Sequence, residues 1–336
     1  MHRIVSIVFI VVCVISGFLL LASEQVVKHD YPVSVIQNDS IRVTVLMPDE
    51  LNGYYRSTRF DWSGMIAQIN YGDHEFLQAW EMYDGTVHGG VHDPLTPGTG
   101  TGTAEEFRNP LGYEEANVGE PFVKIGVGVL QRASQDPYFW DYPYKIIQSG
   151  KWDIQINKSS IVFKQSMVTD FGYAYDYEKQ IRLIDNKAEL EIIHMLKNCG
   201  AKPIFANPYC HNFFSFDNYP GGQNYKMVFP NDVCPVDQFD SRITFEGNEI
   251  KINEDDLRND WIGGHINAGT SKEYTVINSK TRTSIKVIED KDLGPFYIYM
   301  SRTSVCAEPM VEFSIDNGQS FTWKRTYQFN KNLRIK

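Results

Sequence analysis

The stretch Glu178-Lys179-Gln180-Ile181-Arg182-Leu183-Ile184-Asp185-Asn186-Lys187-Ala188-Glu189-Leu190-Glu191-Ile192-Ile193-His194-Met195-Leu196 decides the fold. Two runs with alternating apolar residues flank Asp185-Asn186-Lys187, a polar link that reads as the turn of a β-hairpin. In the second run Ala188, Leu190, Ile192, His194 and Leu196 share one face, because side chains on a strand alternate with period two. His194 in that row reads as a core histidine with a partnered ring, since buried polar groups are normally hydrogen-bonded. Outward from the hairpin, β-like runs recur at 41–46, 65–71, 122–130, 154–168, 243–245, 249–252, 274–277, 284–288, 296–300, 311–315 and 321–329, with almost no long helical periodicity. Asp316-Asn317-Gly318 between the last two reads as a second hairpin turn. Many short strands, no internal repeat and no Ser/Pro-rich linker predict an all-β fold, one large β-sandwich domain over 26–336.

Composition narrows the partners. The chain of 336 residues carries 32 Lys+Arg against 42 Asp+Glu, a net charge of −10. Such a surface excludes nucleic acid, whose phosphates need a basic field. Aromatic residues make up 13%, and their flat amphipathic rings serve sugar binding as well as cores. At the N-terminus, His2-Arg3 precedes an apolar run over 4–22 and then Ser23-Glu24-Gln25. That order is an export signal within 1–25. The run is also long enough to cross a bilayer, and Leu20 is bulky for the −3 position of a cut after Ala22. A membrane anchor therefore stands beside a cleaved signal peptide. Either way the globular part is expected outside the cytoplasm: periplasmic, extracellular or held at the membrane through 4–22. Cys199, Cys210, Cys234 and Cys306 are too few for a dense disulfide framework, and they form no CxxC pair or Cys/His metal spacing. No metal and no cofactor is expected.

Four places carry candidate chemistry. Asn207-Pro208-Tyr209-Cys210-His211-Asn212-Phe213-Phe214 sets a histidine between a β-like approach and an aromatic run. An imidazole there can exchange a proton near neutrality; the plainer reading is a core histidine. Arg56-Ser57-Thr58-Arg59-Phe60-Asp61-Trp62 groups two arginines, an aspartate and an indole that suit hydrogen bonding to and stacking on a sugar. A surface Arg–Asp pair beside packing aromatics explains it equally well. Val305-Cys306-Ala307-Glu308-Pro309 places a carboxylate near a strand end, as a general base would be placed, or else as a solvated loop glutamate. The segment 87–117, rich in Gly, Pro, Thr and Glu, reads as a rim loop over a cleft and carries His88, His92, Glu105 and Glu106.

In their order, the hairpin, Asn207-x-x-x-His211-x-x-Phe214 and Cys306-x-Glu308-Pro309 resemble the galactose mutarotase (aldose 1-epimerase) superfamily. Val87-His88-Gly89-Gly90 is similar to that family's Leu-His-Gly-Gly. The resemblance runs over about 41–329. It implies a mutarotase-like β-sandwich acting on a sugar or an oligosaccharide end, interconverting α and β anomers without a cofactor. Glu308 would be the base and protonated His211 the acid, with roles reversed on ring closure. His88 and Arg59, or Arg56 in its place, would bind the substrate. Pro208-Tyr209-Cys210 departs from the family's Leu-Thr-Asn. Its sugar-contacting Asp-His-Asn segment has Asp260-Trp261 as the nearest stand-in. A non-catalytic carbohydrate-binding module and a polysaccharide lyase or glycosidase on the same broad fold stand as alternatives. A glycosidase would need a second carboxylate facing Glu308, with Glu312, Glu105 and Glu106 available.

Overall fold

The computed structural model describes residues 31–78, 92–257 and 260–334. Among them are twenty-five strands and a single 3-10 turn, Phe216–Asn218. The 178–196 hairpin forms as read: Ala174–Leu183 pairs antiparallel with Glu189–Asn198, Leu183 opposite Leu190. Its turn puts Asn186 at a φ of 58°, a left-handed conformation that asparagine tolerates better than most residues.

This hairpin lies in a ten-stranded antiparallel sheet, ordered Ile243–Glu246, Glu249–Ile252, Tyr225–Val228, Glu273–Asn278, Thr283–Glu289, Ser320–Asn330, Glu189–Asn198, Ala174–Leu183, Ser160–Val168 and Asp153–Ile156. The opposing layer is built from two sheets. One runs Val33–Gln37, Ile41–Leu46, Ile66–Tyr71, Thr103–Phe107 and Pro208–Asn212, with His74–Glu75 on Ile66–Tyr71. The other runs Cys234–Pro235, Ile262–Asn267, Phe296–Ser301 and Ser304–Pro309. Pro208–Asn212 and Ser304–Pro309 meet edge to edge, where the Asn212 amide donates to Cys306 Sγ at 3.0 Å and the Val305 amide to the Phe214 carbonyl at 3.1 Å. Core residues come from both layers, among them Val43 and Ile69 from one side and Ile192, Ile285 and Tyr327 from the other. Apolar alternation buries one face of each layer against the other, which makes the fold a β-sandwich.

Three expectations change. The run 122–130 is two strands, Pro121–Lys124 and Gly128–Gln131, because the chain reverses at Ile125-Gly126-Val127. Asp316-Asn317-Gly318 closes no hairpin. Phe313–Ile315 pairs with Ile204–Ala206, and Ser320–Asn330 enters the large sheet. The Asn198 amide on the Ile315 carbonyl, at 2.9 Å, holds that change of sheet. Third, the supposed rim loop contains Thr103–Phe107, an entirely buried strand of the second layer. Glu105 and Glu106 therefore sit inside the molecule. His88 lies outside the described residues, as does the N-terminal run 4–22. Among the described residues no helix is long and apolar enough to cross a membrane, and Cys199, Cys210, Cys234 and Cys306 are unbonded thiols.

Candidate active site

Pro208–Asn212 is buried along its whole length and faces Thr103–Phe107, with Tyr209 opposite Glu106 and His211 opposite Ala104. Alternation sends Tyr209, His211 and Glu106 to the outer side of the layer. Cys210 and Glu105 go inward, towards the ten-stranded sheet. The next strand over, Ser304–Pro309, presents Cys306 and Glu308 on the side of His211. The imidazole Nε2 and Glu308 Oε1 lie 3.4 Å apart. The two residues are 97 positions apart in the chain and only 6% and 5% exposed. The His211 ring stacks on Phe213 with centroids 4.1 Å apart and meets the Tyr299 edge at 5.2 Å. Its Nδ1 has no hydrogen-bond partner among the described residues.

Beside this pair sits Arg59. Its Nε donates to Glu106 Oε2 at 2.9 Å and its Nη2 to the Tyr209 hydroxyl at 2.9 Å. Its guanidinium lies 3.8 Å from the centre of the Trp140 ring and 4.5 Å from that of Phe60. Tyr209 in turn donates to Glu106 at 2.6 Å, and Lys124 Nζ reaches Glu106 Oε1 at 3.3 Å. Burial alone would raise the Glu106 carboxyl, but Lys124 and Arg59 outweigh it and bring it down to about 2. Glu106 is thus a fixed anion that locks the arginine in place.

Glu308 is in the opposite condition. Burial pushes its carboxyl up to about 8, only partly offset by Arg59. Burial also drives the His211 imidazole well below its ordinary value, and the Arg59 cation adds to the effect. At neutral pH the pair therefore holds one proton, and in the unliganded site that proton rests on the carboxyl. Sequence analysis put it on the imidazole. The two arrangements carry the same net charge and differ by one proton moved between neighbours. His211, Cys306 and Glu308 also bring nitrogen, sulfur and oxygen donors within 4.8 Å of one another. A metal-bound imidazole normally donates its second N–H to a partner, which Nδ1 lacks, so the trio fits a proton-transfer site better than a metal centre.

Other candidates belong elsewhere. Asp61 is buried under Ser63, Tyr177 (2.9 Å) and Lys179 (3.4 Å), and the Trp62 indole donates to the Ser57 carbonyl inside the core at 2.8 Å. Neither faces His211, because adjacent residues of the buried loop turn into the packing. Arg56 donates to the Leu51 carbonyl at 2.6 Å. With Trp62, Glu50 and Lys151 it lines a groove of about 370 Å³ that shares no residue with the pair. Asn207 accepts from the Asn109 amide at 2.9 Å, a clamp between loops. Asp260 is exposed and pairs with Arg242 at 2.8 Å. Sequence reasoning missed Tyr209, Glu106 as an anchor, Lys124 and Trp140. The run Asp136-Pro137-Tyr138-Phe139-Trp140-Asp141-Tyr142-Pro143-Tyr144, so dense in rings, was the available signal for the last.

Neither a family model nor a curated protein sequence matches the chain. Solved structures do. A candidate aldose 1-epimerase from Escherichia coli K12 superposes with a TM-score of 0.57 at 13% identity, covering 89% of this chain and 99% of the other. A galactose mutarotase-like protein from Lactobacillus casei gives 0.54 at 12%, covering 89% and 100%. The C. elegans homologue of GalM/aldose epimerase gives 0.52 at 11%, covering 90% and 100%. This chain has the galactose mutarotase-like fold. The sandwich implied by the ordered motifs is thus the one found. Identities this low speak for the mutarotase-like fold alone, and a fold hosts many activities.

Proposed function

We propose that the protein is an aldose 1-epimerase-like enzyme that interconverts the anomers of a sugar through His211 and Glu308. The observation that carries this reading is the 3.4 Å approach of two buried groups, an imidazole held low and a carboxyl held high. Anomerisation moves protons at two oxygens, the C1 hydroxyl and the ring oxygen, and both are bonded to C1. The acid and the base that serve them must therefore be close neighbours, as these are. One group takes the hydroxyl proton while the other protonates the ring oxygen. The C1–ring oxygen bond breaks to leave an open-chain aldehyde, rotation about C1–C2 turns the carbonyl, and the reverse transfers close the ring on its other face. Arg59, anchored by Glu106, supplies a fixed positive field for the charge that develops at the oxygens. No cofactor enters this scheme.

A retaining glycosidase would need a second carboxylate free to attack. Glu106, the nearest choice, has its oxygens occupied by Arg59, Tyr209 and Lys124. The apolar run 4–22 behind His2-Arg3 supports placing the enzyme outside the cytoplasm, whether freed by cleavage or attached through that run. Polarimetry of freshly dissolved α-glucose and α-galactose tests the activity. Wild type should accelerate mutarotation, and H211A and E308A should each lose about 100- to 10,000-fold of it while staying folded. Equal rates in all three proteins would put the chemistry elsewhere. Acceleration by none of them would leave a sugar-binding module.

A further inference from the structure

The pair His211–Glu308 is the buried end of a longer feature. Phe296–Ser301 sets Tyr297 opposite Glu308 and Tyr299 opposite Cys306, and Ile262–Asn267 sets Gly263 opposite Tyr299 and His265 opposite Tyr297. Directly opposed residues of antiparallel strands point to the same side. Tyr297, Tyr299 and the open surface of Gly263 therefore continue the face that carries Glu308. Trp261 lies on that face: its ring stacks on Tyr299 with centroids 5.9 Å apart and planes 20° off parallel. Gly263 makes this possible, since a Cβ there would stand 2.8 Å from the Trp261 ring and 2.5 Å from the Tyr297 hydroxyl. Exposure climbs along the row from 5% at Glu308 to 46% at Trp261. At the outer rim His265 pairs with Asp237 at 2.7 Å and sets its ring edge-on to Tyr297.

We propose that this row is a second sugar subsite, with Trp261 as its floor, and that the substrate is the reducing end of a disaccharide or longer oligosaccharide. The inference rests on the proposed role of His211 and Glu308, because it seats the anomeric carbon at the buried end. The reducing ring then lies over Tyr299, and its non-reducing substituent runs outward along the face, over Trp261. A pyranose has an apolar C–H face and a hydroxyl-bearing edge. An exposed indole flanked by a phenol and a hydrogen-bonded imidazole–carboxylate pair matches both. Trp140 does not serve the same purpose, since its ring is engaged by the Arg59 cation.

The experiment compares cellobiose, maltose and lactose with glucose and galactose, by polarimetry for turnover and by saturation-transfer NMR for binding. The proteins are wild type, W261A and G263A. Turnover of disaccharides, with the ratio of their kcat/KM to that of monosaccharides falling about tenfold in W261A and in G263A, supports the subsite. Saturation on the non-reducing ring that W261A abolishes supports it as well. If no sugar is turned over yet that Trp261-dependent saturation is seen, the subsite stands and the epimerase reading falls. A kcat/KM ratio unchanged in W261A, with no saturation of the second ring, overturns the subsite while leaving anomerisation of monosaccharides intact.

Discussion

Two buried glutamates, Glu105 and Glu308, are held by the fold in opposite states of charge. Both are nearly sealed from solvent. Glu105 receives His194 Nε2 at 2.6 Å, Lys179 Nζ at 2.7 Å and Arg325 Nη1 at 2.8 Å. Burial would raise its carboxyl, but these partners outweigh it and hold it well below the ordinary range. Glu308 has the histidine at 3.4 Å, the Cys306 thiol and the field of Arg59, which offset its burial only in part, and it is lifted to about 8. Burial alone does not mark a site. A buried acid without a full set of counter-charges does, because its proton stays available at working pH.

The comparison breaks most visibly at Glu105. Removing one partner of a buried ion network strands the others, which costs about 3–5 kcal/mol. E105A should therefore lose that much in urea denaturation, whereas E308Q should stay near wild type at pH 4.5, where the carboxyl it replaces is neutral in the fold and its stabilising contribution is still nearly complete. Equal losses in the two variants would erase the distinction.

Changing pH sharpens it. The folded value of Glu308 lies above the ordinary 4.5, so the fold favours the protonated form. Its contribution to stability is complete below 4.5 and is lost as pH rises towards about 8. Wild type should thus weaken relative to E308Q across that window, measured by denaturation at several pH values. In the proposed reaction the same proton is used, so kcat/KM should fall above about 8, when Glu308 loses it. On the acid side kcat/KM should hold to well below 6.5, since His211 resists protonation. A half-maximum near 6.5 would mean that the imidazole is not held down by burial and Arg59.

The smallest effect belongs to Trp140. Its stacking on the Arg59 guanidinium is worth about 0.5–2 kcal/mol, so W140A should reduce kcat/KM by up to about thirtyfold and leave the denaturation midpoint nearly unchanged. A loss as large as that of H211A would make Trp140 part of the reacting centre itself.

Much of this protein was legible in the chain. Period-two alternation and the Asp185-Asn186-Lys187 turn predicted the central hairpin, and the apolar row around His194 predicted its burial, because both follow from neighbours a few residues away. The ordered motifs singled out His211 and Glu308. The fates of Asp61, Trp62, Asn207 and Asp260 were not legible, and neither was the anchoring role of Glu106. Alternation says that Glu105 and Glu106 point to opposite faces, but not which face is the core and which the site. Nor does it say which cations will meet them. Arg325, which neutralises Glu105, is 220 positions away, and Tyr209, which fixes Glu106, is 103 away. The sequence by itself determined most of the strands and the central hairpin, since these depend on local spacing and side-chain type. Only the tertiary structure decided which charges met counter-charges and which carboxyl was left to hold its proton, because a pKa inside a protein is set by burial and by groups that folding brings from distant strands.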